Sequence, residues 1–100
     1  MTALALTAEE LAAVRAILAA HLPEGVRAGV FGSRAGGKPK PWSDLDLVLD
    51  SRAALPLSLL AELAEAFDES VLPWKVDLVD RRAVSDTFGE IIDGGCIWLD

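Results

Sequence analysis

Residues 44–50, Asp-Leu-Asp-Leu-Val-Leu-Asp, alternate between acidic and apolar side chains through most of a strand length. That period of two fits a pleated strand, in which successive side chains leave opposite faces. Leu45, Leu47 and Leu49 then share one face, while Asp44, Asp46 and Val48 share the other. The leucine face demands a core. The opposite face carries two carboxylates whose Cα atoms are roughly 6.5 to 7 Å apart. A chain built around this segment is committed to a sheet covered on at least one side.

The flanking sequence supplies the cover. Leu6–Leu22 predicts a helix: Thr7 and Glu10 form a capping-box pattern, and Leu11, Val14, Leu18 and Leu22 recur at helical spacing. Pro23 and Gly25 end it, and His21 falls in the last turn, suited to a capping or surface role. Val26–Phe31 is a short strand. Residues 32–43 are rich in glycine and proline, with a helical turn expected at Ser33–Ala35 and loop beyond it. Residues 56–70 form a second helix with Leu60, Leu63 and Phe67 on one stripe and Leu59 beside it. Lys75–Asp80 is a third strand, with Val76 and Leu78 on one face and Asp77 and Val79 on the other. Residues 81–93 predict a third helix ended by Gly94-Gly95, and Cys96–Leu99 a short last strand. The fold class expected is α+β, an α/β-type sandwich. A small mixed sheet has helices packed on one face and the carboxylates on the other, at an open edge.

Bulk properties narrow the function. The chain has 100 residues, is 52% apolar and carries a net charge of −7. One domain over residues 1–100 is expected, with enough apolar content for a core. A chain this acidic repels nucleic acid, so direct nucleic-acid binding is not expected, whereas a basic protein partner suits it. No apolar run approaches the ~18 residues that span a bilayer, and the start of the chain lacks a secretory pattern. The single cysteine, Cys96, predicts a buried, inert thiol. Together these features point to the cytoplasm. Trp42 and Trp74 suit either a contact surface or the core.

The acidic face asks for cations. Two carboxylates converging on one side of a strand repel each other unless positive charge sits between them. Magnesium is a hard ion that takes oxygen ligands and shares its shell with phosphates. Two such ions can clamp the attacking and leaving oxygens of an in-line displacement. Asp77 joins the pair if its strand is the neighbour. Gly32 lets backbone approach a ligand closely, and the amides of a turn at Ser33 suit phosphate. The guanidinium of Arg34 is a fork matched to phosphate oxygens.

Gly32-Ser33, ten intervening residues, then Asp44-Leu45-Asp46 resembles the GS-x10-DxD signature of the DNA polymerase β-like nucleotidyltransferase superfamily. The wording "FGSRA…SDLDL" is most similar to its minimal nucleotidyltransferase (MNT) branch, and the resemblance runs over almost the whole chain through "VDLVD". It implies transfer of a nucleoside monophosphate from a nucleoside triphosphate, here ATP, to a hydroxyl, with pyrophosphate released. Carried over by position, Asp44 and Asp46 bind two Mg²⁺. Asp77 shares the catalytic metal and helps deprotonate the acceptor. Gly32 and Ser33 hold the β and γ phosphates, with Arg34 nearby. The family loop usually carries a second arginine soon after this position. Here it reads Ala35-Gly36-Gly37-Lys38, leaving Lys38 or Lys40 to supply that charge.

Many minimal members are antitoxins encoded beside a HEPN-type RNase toxin, and several transfer AMP to a tyrosine of that toxin. The resemblance therefore implies a protein adenylyltransferase acting as an antitoxin, in a homo- or hetero-oligomer, with its partner completing the acceptor side. Two alternatives stand beside it. One is an antitoxin that neutralises its toxin by binding alone. The other is a nucleotidyltransferase acting on a small molecule such as an aminoglycoside, or on an RNA 3′ end.

Overall fold

A computed structural model describes residues 4–99 of the chain. Helix α1 (Ala8–His21) opens on the reciprocal cap predicted from sequence. Glu10 N–H donates to Thr7 Oγ1 at 3.0 Å, and Thr7 N–H donates to Glu10 Oε1 at 2.9 Å. Pro23 sets the other end. Its ring crowds the helical conformation of the preceding residue, and Leu22 turns extended with ψ of 131°. Strand β1 (Arg27–Phe31) runs into a 3-10 turn over Gly32–Arg34, one residue earlier than expected. A loop then leads to strand β2 (Leu45–Asp50), helix α2 (Leu57–Asp68), strand β3 (Val76–Asp80), helix α3 (Asp86–Gly95) and the short strand β4 (Ile97–Trp98).

The four strands form one sheet in the order β3-β2-β1-β4. β1 is antiparallel to both its neighbours, and β2 and β3 are parallel. The sheet is therefore mixed, and α2 provides the crossover that a parallel pair requires. The core sits where the leucine alternation places it. Leu45, Leu47 and Leu49 are fully buried with Val30 of β1, and they pack with Val14 and Leu18 of α1 and Leu63 and Phe67 of α2. Each such side chain contributes about 1.5 to 3 kcal/mol relative to exposure. At the rim of this layer, His21 Nδ1 lies 2.9 Å from Glu62 Oε2, tying the last turn of α1 to α2.

Helix α3 departs from the sequence expectation. It begins at Asp86, not Arg81, because Asp80 turns the chain first. The Asp80 carboxylate accepts the N–H of Arg82 at 2.9 Å and the N–H of Leu55 at 2.7 Å. Ala83 N–H returns to the Asp80 carbonyl at 3.0 Å. Ser85 then caps the helix, accepting from Phe88 N–H at 3.2 Å. α1 and α2 line the leucine face, whereas α3 packs on the other. Its Phe88 ring meets Phe31 edge-on, with centroids 6.1 Å apart, and strand alternation puts Phe31 opposite Val30. Val48, on that second face, and Ile92 of α3 are both fully buried. Cys96 is half-buried, and desolvation, then the charge of Asp93, pushes its thiol pKa up, as suits an inert thiol. Among the described residues no helix is long and apolar enough to cross a membrane.

Candidate active site

Residues in register on neighbouring strands present their side chains to the same face. The register pairs Phe31 with Asp46 across β1 and β2, and Asp46 with Asp77 across β2 and β3. Phe31, Asp46 and Asp77 thus form one row on the face opposite the leucine core. Adjacent strands are about 4.8 Å apart, so the carboxylates of Asp46 and Asp77 are immediate neighbours. Asp44 lies just before β2 and is exposed. It stands two residues from Asp46, so strand alternation gives it the same face.

The Gly-Ser turn closes on this row. Gly32 has φ of 76°, a conformation that favours glycine, and a Cβ at this position would run into the Asp46 carboxylate oxygen Oδ2. Ser33 follows, exposed at the tip. The loop then curls back over it: a Cβ on Gly37 would lie 2.7 Å from the Ser33 carbonyl oxygen. Bare α-carbons at both positions let the backbone fold tightly beside the carboxylates.

Charge in this cluster is uncompensated. Among the described residues, none of the carboxylates of Asp44, Asp46 and Asp77 makes a hydrogen bond or ion pair. The Asp46 carboxyl is held above its ordinary pKa, first by desolvation and then by the charges of Asp77 and Asp44. Among the described residues no three carboxylate, imidazole or thiolate groups converge into a ready-made metal cage. Asp44, Asp46 and Asp77 are hard carboxylates on one face, with Asp46 partly desolvated, and this donor set fits a divalent ion with oxygen ligands.

Arg34 corrects the sequence reading. It was expected near the phosphates, yet only 6% of it is exposed. Its guanidinium is spent on main-chain carbonyls. Nε and Nη2 donate to Ser43 O at 3.1 and 2.9 Å, and Nη1 donates to Ala5 O at 3.0 Å. Nη2 also reaches Lys40 O and Pro41 O, each at 3.4 Å. Its Cζ lies over the Trp74 ring, 4.6 Å from the centroid. A fork already engaged in this way is not free to grip phosphate. Lys38 and Lys40 are exposed on the loop, with Lys40 Nζ 5.7 Å from the Trp42 ring centroid.

The two tryptophans part company: Trp74 is buried under Arg34, and Trp42 is 71% exposed two residues before Asp44. The sequence reading missed Lys75. It is exposed and immediately precedes β3, and strand alternation puts it on the face of Asp77. The same alternation that found Asp77 contains this signal. A cavity of about 400 Å³ lies at the opposite end of β1, lined by Leu18, Leu22, Val26 and Leu99, away from the carboxylates.

The family model for the nucleotidyltransferase domain matches residues 11–95, a span that takes in both the Gly-Ser turn and all three aspartates. The chain belongs to the nucleotidyltransferase domain family. It is 48% identical over 84 residues to a probable protein adenylyltransferase MntA of Haemophilus influenzae, covering 84% of this chain and 73% of the relative. It is 36% identical over 93 residues to the protein adenylyltransferase MntA of Thermococcus cleftensis, covering 87% of this chain and 90% of that one. A crystal structure of a toxin-antitoxin with AMP-PNP superposes with a TM-score of 0.76 at 26% identity. The match covers 90% of this chain and 72% of the other. In this nucleotidyltransferase domain the signature residues thus stand around a single row of carboxylates.

Proposed function

We propose that this chain transfers AMP from ATP to a hydroxyl of a partner protein, and that it acts in this way as the antitoxin of a toxin–antitoxin pair. The observation that carries the reading is the in-register pair Asp46 and Asp77, with Asp44 beside it and the Gly32-Ser33 turn closed against it. Two MntA adenylyltransferases as relatives support the reaction class, and the likeness to a toxin-antitoxin structure with AMP-PNP supports the nucleotide and the partner. The acceptor fitting the resemblance is a tyrosine of a HEPN-type toxin.

In this reading Asp44, Asp46 and Asp77 hold Mg²⁺, which when bound offsets charge on the phosphates and acidifies the acceptor hydroxyl. The amides of Gly32 and Ser33 and the Ser33 hydroxyl hold the β and γ phosphates. Asp77 takes the proton of the acceptor hydroxyl, whose oxygen bonds to the α-phosphorus as the bond to the β-phosphate oxygen breaks. Pyrophosphate leaves with the electron pair. In this reading the partner supplies the acceptor side, and the net charge of −7 suits docking to a basic surface. Dependence on ATP and a cellular protein acceptor sets the reaction in the cytoplasm.

The test is incubation with ATP, Mg²⁺ and the neighbour-encoded protein, followed by intact mass. The partner is expected to gain AMP, and an Asp44→Asn/Asp46→Asn variant to add none. Protection of cells by that double variant would instead support neutralisation by binding alone.

A further inference from the structure

We propose that Arg34 is the positioning residue of the site, setting the approach to both carboxylate strands without touching the nucleotide. The inference rests on Asp44, Asp46 and Asp77 being the catalytic carboxylates. It begins from what converges on one buried guanidinium. Arg34 is the last residue of the Gly-Ser turn. Through Ser43 O it grips the residue directly before Asp44, at 2.9 and 3.1 Å. Its guanidinium carbon sits over the ring of Trp74, three residues before Asp77. Through Ala5 O it holds the segment ahead of α1, and Ala5 N–H returns to the Arg34 carbonyl at 2.8 Å.

The chain closes the circle behind it. Leu45 N–H donates to Lys75 O at 2.9 Å, joining the starts of the two carboxylate strands. Ser43 N–H donates to Lys40 O at 3.0 Å, and Lys40 N–H to Ser43 Oγ at 2.9 Å, so the loop tip is a closed turn. The turn, the loop and the segment leading into β3 therefore meet at one guanidinium. A lysine cannot replace it: an ammonium is a compact point charge with no fork to hold the Ser43 and Ala5 carbonyls at once. Small displacements of catalytic groups are costly, with about 1 Å worth on the order of a hundredfold in rate.

The experiment compares Arg34→Lys with wild type in three readouts. In AMP transfer, kcat falls about tenfold or more while KM for ATP stays within about threefold, as expected when alignment and not ground-state binding is lost. In amide exchange, Ser43 and Leu45 N–H exchange at least about tenfold faster in the variant, because local opening is no longer restrained. In wild type alone, the Arg34 Nε–H resonance does not move when Mg²⁺ and an ATP analogue with a non-cleavable α,β bridge are added. A KM that rises at least as much as kcat falls, or an unchanged kcat, overturns the proposal. So does an Nε–H resonance that follows the nucleotide, and that measurement decides alone if the variant does not fold. Absence of AMP transfer by wild type defeats the proposed function instead, and the exchange comparison then still decides whether Arg34 sets the loop.

Discussion

The α-carbon of Gly32 lies bare against the carboxylate of Asp46, so the turn that ends β1 and the acid in the middle of the row on β2 touch through a missing side chain. Gly32→Ala is expected to disturb both partners. Its methyl enters a left-handed backbone conformation that L side chains rarely adopt, costing on the order of 1 to 2 kcal/mol. It also displaces the Asp46 carboxylate. AMP transfer should fall at least about tenfold, more than the loss of stability explains. A denaturant titration beside the activity assay checks this, and full activity in the variant would break the link drawn between turn and acid.

Asp46 is expected to destabilise the metal-free fold at neutral pH. Its carboxyl binds a proton more readily in the folded state than in the unfolded chain, because desolvation and the charges of Asp77 and Asp44 raise its pKa from the ordinary 3.8. A raised acid gives up stability as pH rises from that ordinary value through the folded one. Asp46→Asn should therefore melt higher than wild type at neutral pH. The gap should close as pH falls below the ordinary value. A neutral-pH melting temperature lower than wild type would contradict the charge reading.

Magnesium is expected to reverse the same penalty. A ligand that binds only the folded state at ten times its dissociation constant adds about 1.4 kcal/mol, or roughly 5 to 10 °C for a chain of this size. Wild type should show that rise without nucleotide present. The Asp44→Asn/Asp46→Asn variant should show little or none, and equal rises in both would place the ion elsewhere.

Much of this arrangement was legible in the sequence because period-two alternation is a strong physical signal. It placed Leu45, Leu47 and Leu49 in the core and Asp46 and Asp77 on the opposite face, and the register then set the two acids side by side. The capping pair Thr7 and Glu10 was equally plain. What escaped depends on side chains bonding to distant backbone. The Asp80 carboxylate claims Leu55 and Arg82 amides and so delays α3 to Asp86, which no local propensity records. Arg34 was misplaced for the same reason. A guanidinium suits phosphate and carbonyl oxygens equally well, and only the folded loop shows Ser43 O and Ala5 O already occupying it. Helix α3 covering the face of Val48 was also out of reach, since chain order does not say on which side of a sheet a helix returns.

Two leucines of α2 provide a final test of which contacts hold the sheet in place. Leu63 is fully buried between the helices and the leucines of β2, whereas Leu57, six residues earlier, is 82% exposed. Both are leucines of the helix whose interior packs on the strand pair that presents the acids, Leu57 at its first position and Leu63 at mid-helix. Leu63→Ala removes buried methyl groups and leaves a cavity beneath β2, costing about 2 to 5 kcal/mol. Leu57→Ala removes area already in water and should stay within about 0.5 kcal/mol of wild type. Urea titrations of the two variants measure the difference directly. Equal losses would mean that α2 is held by something other than its buried stripe, and that the seating of β2 and β3 beneath the carboxylate row has another source.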